Sequence, residues 1–298
     1  MSARGWRLVR VADPDGALHV GAVAPGRAAI GLLDGADPLE LLVDGRLAQR
    51  GSAARETLEV RDPETLAPRP PWRLVLPLDP PEVWCAGVTY ERSRDARLDE
   101  SHIEARDVYS LAYEAERPEL FLKDAGGRRT VGPAGRIGVR SDAAWTVPEP
   151  ELGIVLGAGG TLLGATIGND VSSRDIEGEN PLYLPQAKVY AGACALGPAV
   201  LVPTSWEEPF GIELRIADAE GRTLVEARTS TARMRRTFAE LAAWCVRDNP
   251  VPAGSVLLTG TGLVPPDAFT LEPGHVVDVR IPGIGRLVNV VTQAEALL

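Results

Sequence analysis

The sequence has few of the residues that usually carry nucleophilic, redox or zinc chemistry. Three cysteines, Cys85, Cys194 and Cys245, occur among 298 residues, and none lies in a C-x-x-C spacing. Their odd number and their apolar surroundings predict buried free thiols in a reducing compartment. Only three histidines occur, none near a plausible serine, which argues against a Ser-His-Asp triad. A structural or solvated role is predicted for all three: His19, His102 and His275.

Several motifs that define large enzyme classes are also missing. No G-x-G-x-x-G follows a strand, and neither G-x-x-x-x-G-K-[ST] nor a G-x-S-x-G elbow occurs, so no dinucleotide, NTP or serine-hydrolase site is indicated. The net charge is -10 and no basic run is present, which excludes nucleic acid and anionic membrane as favoured partners. No apolar run has the length of a signal peptide core or a membrane span, so a cytoplasmic location is predicted.

Glycine and proline are abundant, with 31 and 25 copies, and this indicates many turns and a β-rich fold. Seven prolines fall between residues 62 and 81, too many for the interior of a sheet. We interpret this stretch as a linker with one edge strand at Trp72–Leu76. The chain is therefore predicted to contain a small N-terminal α+β domain, residues 1–75, and a catalytic domain, residues 76–298.

Apolar periodicity predicts the individual elements. Strands are expected over residues 6–12 and 18–23, with short strand and helix pieces over 28–34 and 38–49. The elements expected downstream are a strand at 83–90, one or two surface helices within 91–117 (including Asp107), a strand at 119–123, a loop at 124–138, strands at 199–202, 211–217 and 223–228, a helix at 234–247, a strand at 255–258, and a hairpin of 276–281 with 286–292.

The most informative stretch, residues 145–198, carries three closely spaced carboxylates. Glu149 and Glu151 are two residues apart in a predicted strand, so both side chains point to the same face of a sheet. The strand reaches a Gly-rich turn at 158–160, and the chain then returns as a second apolar, β-rich segment. A hairpin about this turn places Asp170 opposite Glu149 and diagonal to Glu151, to within one residue of register.

This spacing of carboxylates predicts a site for a hard divalent cation. Directly opposed β-carbons in a sheet lie roughly 5 Å apart, and carboxylates that close raise one another's pKa unless they share a cation. Only oxygen donors are present, so Mg²⁺ fits best, Mn²⁺ or Ca²⁺ are possible substitutes, and Zn²⁺ is disfavoured. Glu-x-Glu alone usually marks a solvated face, but its convergence with Asp170 in an apolar setting favours the metal site.

Two later features add candidate binding groups. Residues 179–190 are predicted to form a long loop with two prolines, and such loops are often functional. A lone lysine such as Lys188 in this loop is usually a surface residue, but beside a metal it can bind a substrate carboxylate or transfer a proton. The turn at Thr259-Gly260-Thr261 presents N–H groups and hydroxyls that can hold an anion, and an ordinary β-turn explains it equally well.

Together these motifs resemble the fumarylacetoacetate hydrolase family. The large domain of that family carries a strand with E-x-E, a turn, and a strand that ends in N-D-V-S-x-R-D. Glu149-Pro150-Glu151 and residues 169–175 match the two ends of this pattern. A later lysine of the family matches Lys188, and its T-G-T turn matches residues 259–261.

The resemblance implies a mixed β-roll catalytic domain with a small N-terminal α+β domain, Mg²⁺, a small α-keto acid substrate, and a homo-oligomer, either a dimer or a tetramer. It also implies a role for particular residues. Metal ligands would be Glu149, Glu151 and Asp170, acid–base catalysts would be Glu119 and Lys188, and substrate contacts would come from Lys188, Thr261, Ser172 and Arg174.

Three segments, residues 116–121, 147–152 and 179–186, resemble the dehydratase branch of this family. That branch implies a hydro-lyase acting on a 2-keto-3-deoxy sugar acid in pentose catabolism. The general-base histidine of the hydrolase members has no counterpart, because residues 90–93 read Tyr-Glu-Arg-Ser at that place. The alternatives are an acylpyruvate or fumarylacetoacetate-type hydrolase, or an oxaloacetate decarboxylase, with the same metal chelate. A metal-stabilised binding protein without turnover and a β-rich interaction protein also remain open.

Overall fold

The computed structural model describes residues 4–91 and 111–298 of the chain. The surface helices expected within 91–117 lie mostly outside these ranges, as do His102 and Asp107. Throughout the described ranges the chain is β-rich, with mixed sheets and few helices. No helix of the described residues is long and apolar enough to cross a membrane.

The N-terminal residues form an antiparallel set of strands, as their alternating pattern predicts. Buried residues such as Leu8, Val9 and Val11 anchor the first strand in the core. His19 has the expected structural role, because its Nε2 lies 3.0 Å from Asp13 Oδ2 and its ring packs edge-on against Trp72. Strands β1 to β6 are, in chain order, Gly5–Ala12, Leu18–Val23, Ala29–Leu32, Thr57–Asp62, Ala67–Pro68 and Arg73–Leu74.

One large mixed sheet runs through most of the described chain. The order along the sheet is β5-β4-β3-β2-β1-β15-β13-β12-β18-β7-β8, with β6 and β9 pairing off this path. Pairing is antiparallel except for β18 with β7 and β15 with β9. Strands β7 to β15 and β18 are Glu82–Gly87, Glu119–Ala125, Thr130–Val131, Arg136–Val139, Thr146–Val147, Pro150–Leu156, Leu162–Asp170, Ser172–Ser173, Cys194–Pro203 and Val256–Leu258.

A smaller sheet packs against the large one. Its order is β10-β20-β19-β16-β17, and the hairpin expected near the C-terminus forms its centre. The two sheets enclose the main apolar core, in which Leu152, Ile154 and Ile167 of the large sheet join Leu214 and Val279 of the smaller one. Strands β16, β17, β19 and β20 are Gly211–Ala217, Thr223–Ser230, Val276–Ile281 and Gly285–Gln293.

The helices are short, and the first two pack against interior strands of the large sheet. Asp37 caps the first one, because its Oδ1 accepts a hydrogen bond of 2.9 Å from the N–H of Glu40, and Thr237 caps the last in the same way. Helices α1 to α5 are Pro38–Val43, Leu47–Ser52, Arg174–Glu179, Leu184–Lys188 and Phe238–Cys245.

Two sequence-based predictions of loops are wrong. Residues 179–190 contain a 3₁₀ turn, Pro181–Tyr183, followed directly by α4, so Lys188 ends a helix rather than lying in an extended loop. Residues 124–138 contain β9 and most of β10. In both cases tertiary contacts order segments whose prolines and glycines suggested irregular chain. The predicted helix at 234–247 is also shorter, since it begins at Phe238 with Thr237 as its N-cap, and Met234 forms a β-bridge with Tyr90.

Strand β1 joins the N-terminal strands to the rest of the large sheet. It pairs antiparallel with β15, with Gly5 opposite Pro203 and Leu8 opposite Val200. The N-terminal strands are thus hydrogen-bonded to the same sheet that carries the carboxylate hairpin. A boundary between residues 75 and 76 falls just after β6, and the division into two domains stays a prediction.

Candidate active site

The carboxylate hairpin forms with the register that its sequence predicts. Strands β12 and β13 pair antiparallel, with Pro150 opposite Asn169. The N–H of Asp170 donates to the carbonyl of Glu149 over 3.0 Å, so these two residues face each other across the end of the hairpin. Gly159 makes the turn possible, because its φ of +64° lies in the left-handed region that suits glycine.

The three carboxylates converge in a buried cluster. One carboxylate oxygen from each of Glu149, Glu151 and Asp170 lies within 4.8 Å of the others. These residues expose only 3%, 1% and 1% of their surface, respectively. Buried acidic groups need compensation by cations or hydrogen bonds, and this cluster has three basic side chains around it.

Lys188 bridges two members of the cluster. Its Nζ lies 2.9 Å from Glu149 Oε2 and 3.1 Å from Asp170 Oδ2, and it donates to Ser172 Oγ over 2.5 Å. The side chain is 1% exposed. Lys188 therefore reaches the carboxylates from the end of α4 and is a buried rather than a surface lysine.

Lys123 and Arg174 form further ion pairs with the carboxylates of the cluster. Lys123 is completely buried, forms an ion pair with Asp170, and donates to the carbonyl of Val171 over 2.9 Å. Arg174, at the start of α3, pairs through Nη2 with Glu149 Oε1 at 2.9 Å. Asp170 thus lies between two ammonium groups, and Glu149 lies between an ammonium and a guanidinium group.

Glu151 has a different environment. The backbone N–H of Gly260 donates to its Oε2 over 2.6 Å. The predicted Thr-Gly-Thr turn therefore holds an anion, the carboxylate of Glu151. Burial raises the pKa of Glu151 well above its usual range, and the neighbouring Asp170 and Glu149 carboxylates raise it further. A divalent cation among these oxygens would offset the same repulsion.

The three carboxylates and Lys188 line a cavity, and Glu119 of β8 lines it as well. It faces Gly87 across the β7–β8 pair, and a β-carbon on Gly87 would lie 1.9 Å from Glu119 Oε2. The carboxylate therefore occupies space that only a glycine at position 87 leaves open. Neither strand on its own reveals this relationship.

The remaining predicted substrate contacts occupy two kinds of position. Thr261 lines the cavity, and its Oγ1 accepts a hydrogen bond from the N–H of Leu263 over 3.1 Å. Ser172 and Arg174 do not line the cavity but contact residues that do. Ser172 is hydrogen-bonded to Lys188, and Arg174 forms an ion pair with Glu149. Their assignment as direct substrate contacts stays a prediction.

Three residues of the site were not anticipated from the sequence. Phe121 and Glu177 line the cavity, and Lys123 backs it. A simple signal points to Lys123: the chain has 31 lysines and arginines together, yet only positions 123 and 188 are lysine. Both lysines are buried against the same carboxylate, whereas arginines supply the basic groups elsewhere.

This arrangement can bind a hard cation and move protons. Carboxylate oxygens are the preferred ligands of Mg²⁺, and Glu119 and Lys188 supply one acid–base group from each of two elements. Cys85 and Cys194 are buried near the cluster. The pKa of both thiols is raised, mainly by burial and also by the nearby carboxylate of Asp170. Both thiols are free and buried, as the sequence predicts.

Comparison with known proteins agrees with this geometry. Residues 82–292 match the profile of the fumarylacetoacetate (FAA) hydrolase C-terminal family. A probable 2-keto-3-deoxyxylonate dehydratase of Haloferax volcanii is 50% identical over 73% of this chain and 74% of its own length. The 2-dehydro-3-deoxy-D-arabinonate dehydratase of Saccharolobus solfataricus is 43% identical over 76% of each chain.

A solved structure extends the similarity to nearly the whole chain. It is titled 2-keto-3-deoxy-D-arabinonate dehydratase complexed with magnesium and 2,5-dioxopentanoate, and it superposes with a TM-score of 0.83 at 37% identity over 96% of this chain and 99% of that one. The site and the fold define a protein with a buried acidic cluster, able to hold a metal ion, in a mixed sheet. The chain belongs to the fumarylacetoacetate hydrolase family.

Proposed function

We propose that this protein is a Mg²⁺-dependent hydro-lyase that converts 2-dehydro-3-deoxy-D-arabinonate to 2,5-dioxopentanoate and water in pentose catabolism. The observation that carries the proposal is the buried cluster of three carboxylates, two of which Lys188 bridges, with Glu119 in the same cavity. Two relatives at 43% and 50% identity, named as dehydratases of 2-keto-3-deoxy pentonates, support the reaction class.

The names of these two relatives are chemically consistent with each other. A 2-keto-3-deoxy acid has lost the stereocentres at C2 and C3 of its parent sugar acid. D-xylonate and D-arabinonate share their configuration at C4, so both give the same D compound. One pentonate substrate therefore accounts for both names.

The donor set fits Mg²⁺. Glu149, Glu151 and Asp170 would hold it through carboxylate oxygens, and the raised pKa of Glu151 marks a repulsion that such a cation offsets. When bound, Mg²⁺ acts as a Lewis acid on the ketone oxygen and makes the C3 protons more acidic. No cysteine or histidine approaches the three carboxylates within the described ranges at ligand distance, which favours Mg²⁺ over Zn²⁺.

The protein side chains then supply proton transfer. Glu119 or Lys188 removes a proton from C3, and the other protonates the C4 hydroxyl as it leaves as water. Tautomerisation of the resulting unsaturated product gives the aldehyde at C5. Thr261 would contact the substrate at the cavity wall, and we expect Ser172 and Arg174 to aid binding, Ser172 by fixing the position of Lys188 and Arg174 by fixing Glu149.

The same chelate could serve an acylpyruvate hydrolase or an oxaloacetate decarboxylase. Product analysis separates these reactions, because dehydration keeps all carbons in one molecule. The purified protein should be incubated with 2-keto-3-deoxy pentonates, acylpyruvates and oxaloacetate, each with and without Mg²⁺, and analysed by mass. Loss of 18 Da from the pentonate only when Mg²⁺ is present is expected (the mass of water). If the protein cleaves an acylpyruvate in preference to dehydrating the pentonate, it is a hydrolase. If it releases CO₂ from oxaloacetate instead, it is a decarboxylase, and in either case the proposal is wrong.

The wider organisation completes the proposal. We expect the larger part of the chain to act as a β-roll catalytic domain, residues 76–298, with residues 1–75 as a small α+β domain. We also expect a cytoplasmic homo-oligomer, either a dimer or a tetramer. Light scattering of the purified chain tests the oligomeric state, and expression of residues 76–298 alone tests the domain division.

A further inference from the structure

A second cavity lies at the opposite end of the large sheet from the carboxylate cluster. It has a volume of about 340 Å³ and is formed by the start of β1 and by the turns after β2, β4 and β19. Strand β15 connects the two places, because Cys194 at its start pairs with Asp170 and Pro203 at its end pairs with Gly5. At roughly 3.3 Å per residue of strand, the two sites are about 30 Å apart.

Four arginines line this second cavity: Arg4, Arg7, Arg27 and Arg280. Two of them, Arg280 and Arg4, already have partners within the protein. Arg280 pairs with Glu64 at 2.9 Å and with Glu213 at 3.0 Å. The guanidinium of Arg4 lies over the ring of Phe210, 4.8 Å from its centre, and donates to the carbonyl of Pro209 over 2.7 Å.

Arg7 and Arg27 are different. Neither has a carboxylate within ion-pair distance in the described part of the chain, and the one side-chain hydrogen bond recorded between them runs from Arg7 Nη2 to the carbonyl of Arg27, at 3.3 Å. Arg7 is half-buried, and burial lowers the pKa of its guanidinium. A half-buried guanidinium group that has a carbonyl partner but no carboxylate nearby is stabilised when an anion approaches it. Glu64 also lines the cavity, so four arginines and one carboxylate give it a positive lining in a chain of net charge -10.

We propose that the cavity around Arg7 and Arg27 binds an anionic small molecule that carries a phosphate or carboxylate group. The planar guanidinium fork donates two parallel hydrogen bonds to either group, which a lysine cannot do. The cavity has room for more than a bare anion, and Pro25, Pro63 and Pro282 give it apolar walls for the rest of the molecule.

The backbone around the cavity is fixed in advance. Gly5 has φ +150°, and a β-carbon there would lie 2.0 Å from the carbonyl oxygen of Val202, so the start of β1 is pressed against β15. Gly285 has φ +145°, and a β-carbon there would lie 2.9 Å from the carbonyl oxygen of Glu64. These close approaches hold the cavity walls together without a ligand, which lowers the entropy lost on binding.

Isothermal titration calorimetry of the full chain with inorganic phosphate and with succinate, in buffer without Mg²⁺ and at fixed ionic strength, tests the proposal. We expect saturable one-to-one binding of at least one anion. Arg7→Gln and Arg27→Gln should each weaken it about tenfold, as expected for loss of a charge-assisted contact. The exposed Arg73→Gln, which makes the same change in net charge on β6, should leave the affinity within about twofold of the wild type.

The outcome also identifies the ligand class. Binding of phosphate alone indicates a phosphorylated ligand, binding of succinate alone indicates a carboxylated one, and binding of both indicates a general anion site. Absence of saturable binding, or equal weakening by Arg73→Gln, overturns the proposal. So does a change of oligomeric state in Arg27→Gln, measured by light scattering, because the cavity would then be an interface between copies. Arg27 lies in an exposed turn, so its substitution is informative even if Arg7→Gln fails to fold.

Discussion

The carboxylate of Glu119 fills the space that a β-carbon on Gly87 would need, with its Oε2 only 1.9 Å from that position. A side chain at residue 87 must push the carboxylate away, because backbone pairing between β7 and β8 fixes both residues. The position of the Glu119 carboxylate in the cavity therefore depends on a glycine of the neighbouring strand.

Gly87→Ala should lower kcat about 10²-fold, since a displacement of about 1 Å can have such an effect on a positioned catalytic group. Steady-state kinetics with the pentonate substrate provide the measurement, and circular dichroism checks the fold. Gly211→Ala is the matched control, because a β-carbon there meets no atom within 4 Å. A folded Gly87→Ala protein with the kcat of the wild type would show that Glu119 is not a catalyst.

Lys188→Met should separate metal binding from turnover. Its ammonium group interacts with Glu149 and Asp170, so its removal leaves both carboxylates more available to a cation. We expect Mg²⁺ to bind roughly tenfold more tightly, the effect of removing one nearby like charge, and kcat to fall by about 10² or more through loss of an acid–base group. Titration calorimetry and kinetics measure the two effects.

Lys188→Arg is the control for this experiment. It keeps the positive charge, and its Mg²⁺ affinity should stay close to that of the wild type. If Lys188→Met instead binds Mg²⁺ more weakly than the wild type, the lysine supports the metal site rather than competing with it, and the proposed division of roles is wrong.

Lys123→Met should strongly destabilise the Mg²⁺-free protein. The lysine is fully buried beside Asp170, and removal of one partner from a buried ion pair typically costs about 3–5 kcal/mol. Because Lys188 also pairs with Asp170, we expect a loss toward the lower end of this range. Urea denaturation without Mg²⁺ gives the free energy of unfolding. The double variant Lys123→Met/Asp170→Asn should recover part of this loss, because it removes both charges. A loss below about 1 kcal/mol in the single variant would contradict the pairing.

The stability of the Mg²⁺-free protein should fall as the pH rises. Burial, together with Asp170 and Glu149, raises the pKa of Glu151 above its ordinary value of 4.5, so the folded state retains a proton that the unfolded state releases. Unfolding is therefore favoured as the pH increases from the ordinary to the raised pKa. Saturating Mg²⁺ binds the ionised form, and its stabilising effect should grow over the same range.

Thermal denaturation between about pH 5 and pH 8, with EDTA and with Mg²⁺, measures both trends. Glu151→Gln is neutral throughout this range and should have a flatter profile in EDTA. An identical slope in the wild type and in Glu151→Gln would mean that another group is responsible.

The local part of the site could be predicted from the sequence. The spacing of Glu149 and Glu151 and the glycines of the hairpin turn determine which side chains meet, and the structure confirms that Asp170 faces Glu149. Strand β16 also follows from alternation, because it has one buried face.

The non-local part could not be predicted. Lys123 meets Asp170 only because β8 is brought to the same end of the sheet through β7, β18 and β12, and no local pattern encodes that order. The restriction on Gly87 arises across a strand pair in the same way. Residues 179–190 looked irregular because of their prolines, yet Pro181 and Pro185 lie at the first turns of helices, where a missing N–H is tolerated.

The scarcity of lysine has a practical consequence for spectroscopy. Because the chain has only Lys123 and Lys188, a sample labelled with ¹⁵N on its lysine side chains contains two ammonium signals, both from groups that contact Asp170. The entire lysine spectrum therefore reports on one carboxylate, and titration with a metal or a keto acid can be followed there without any engineered label.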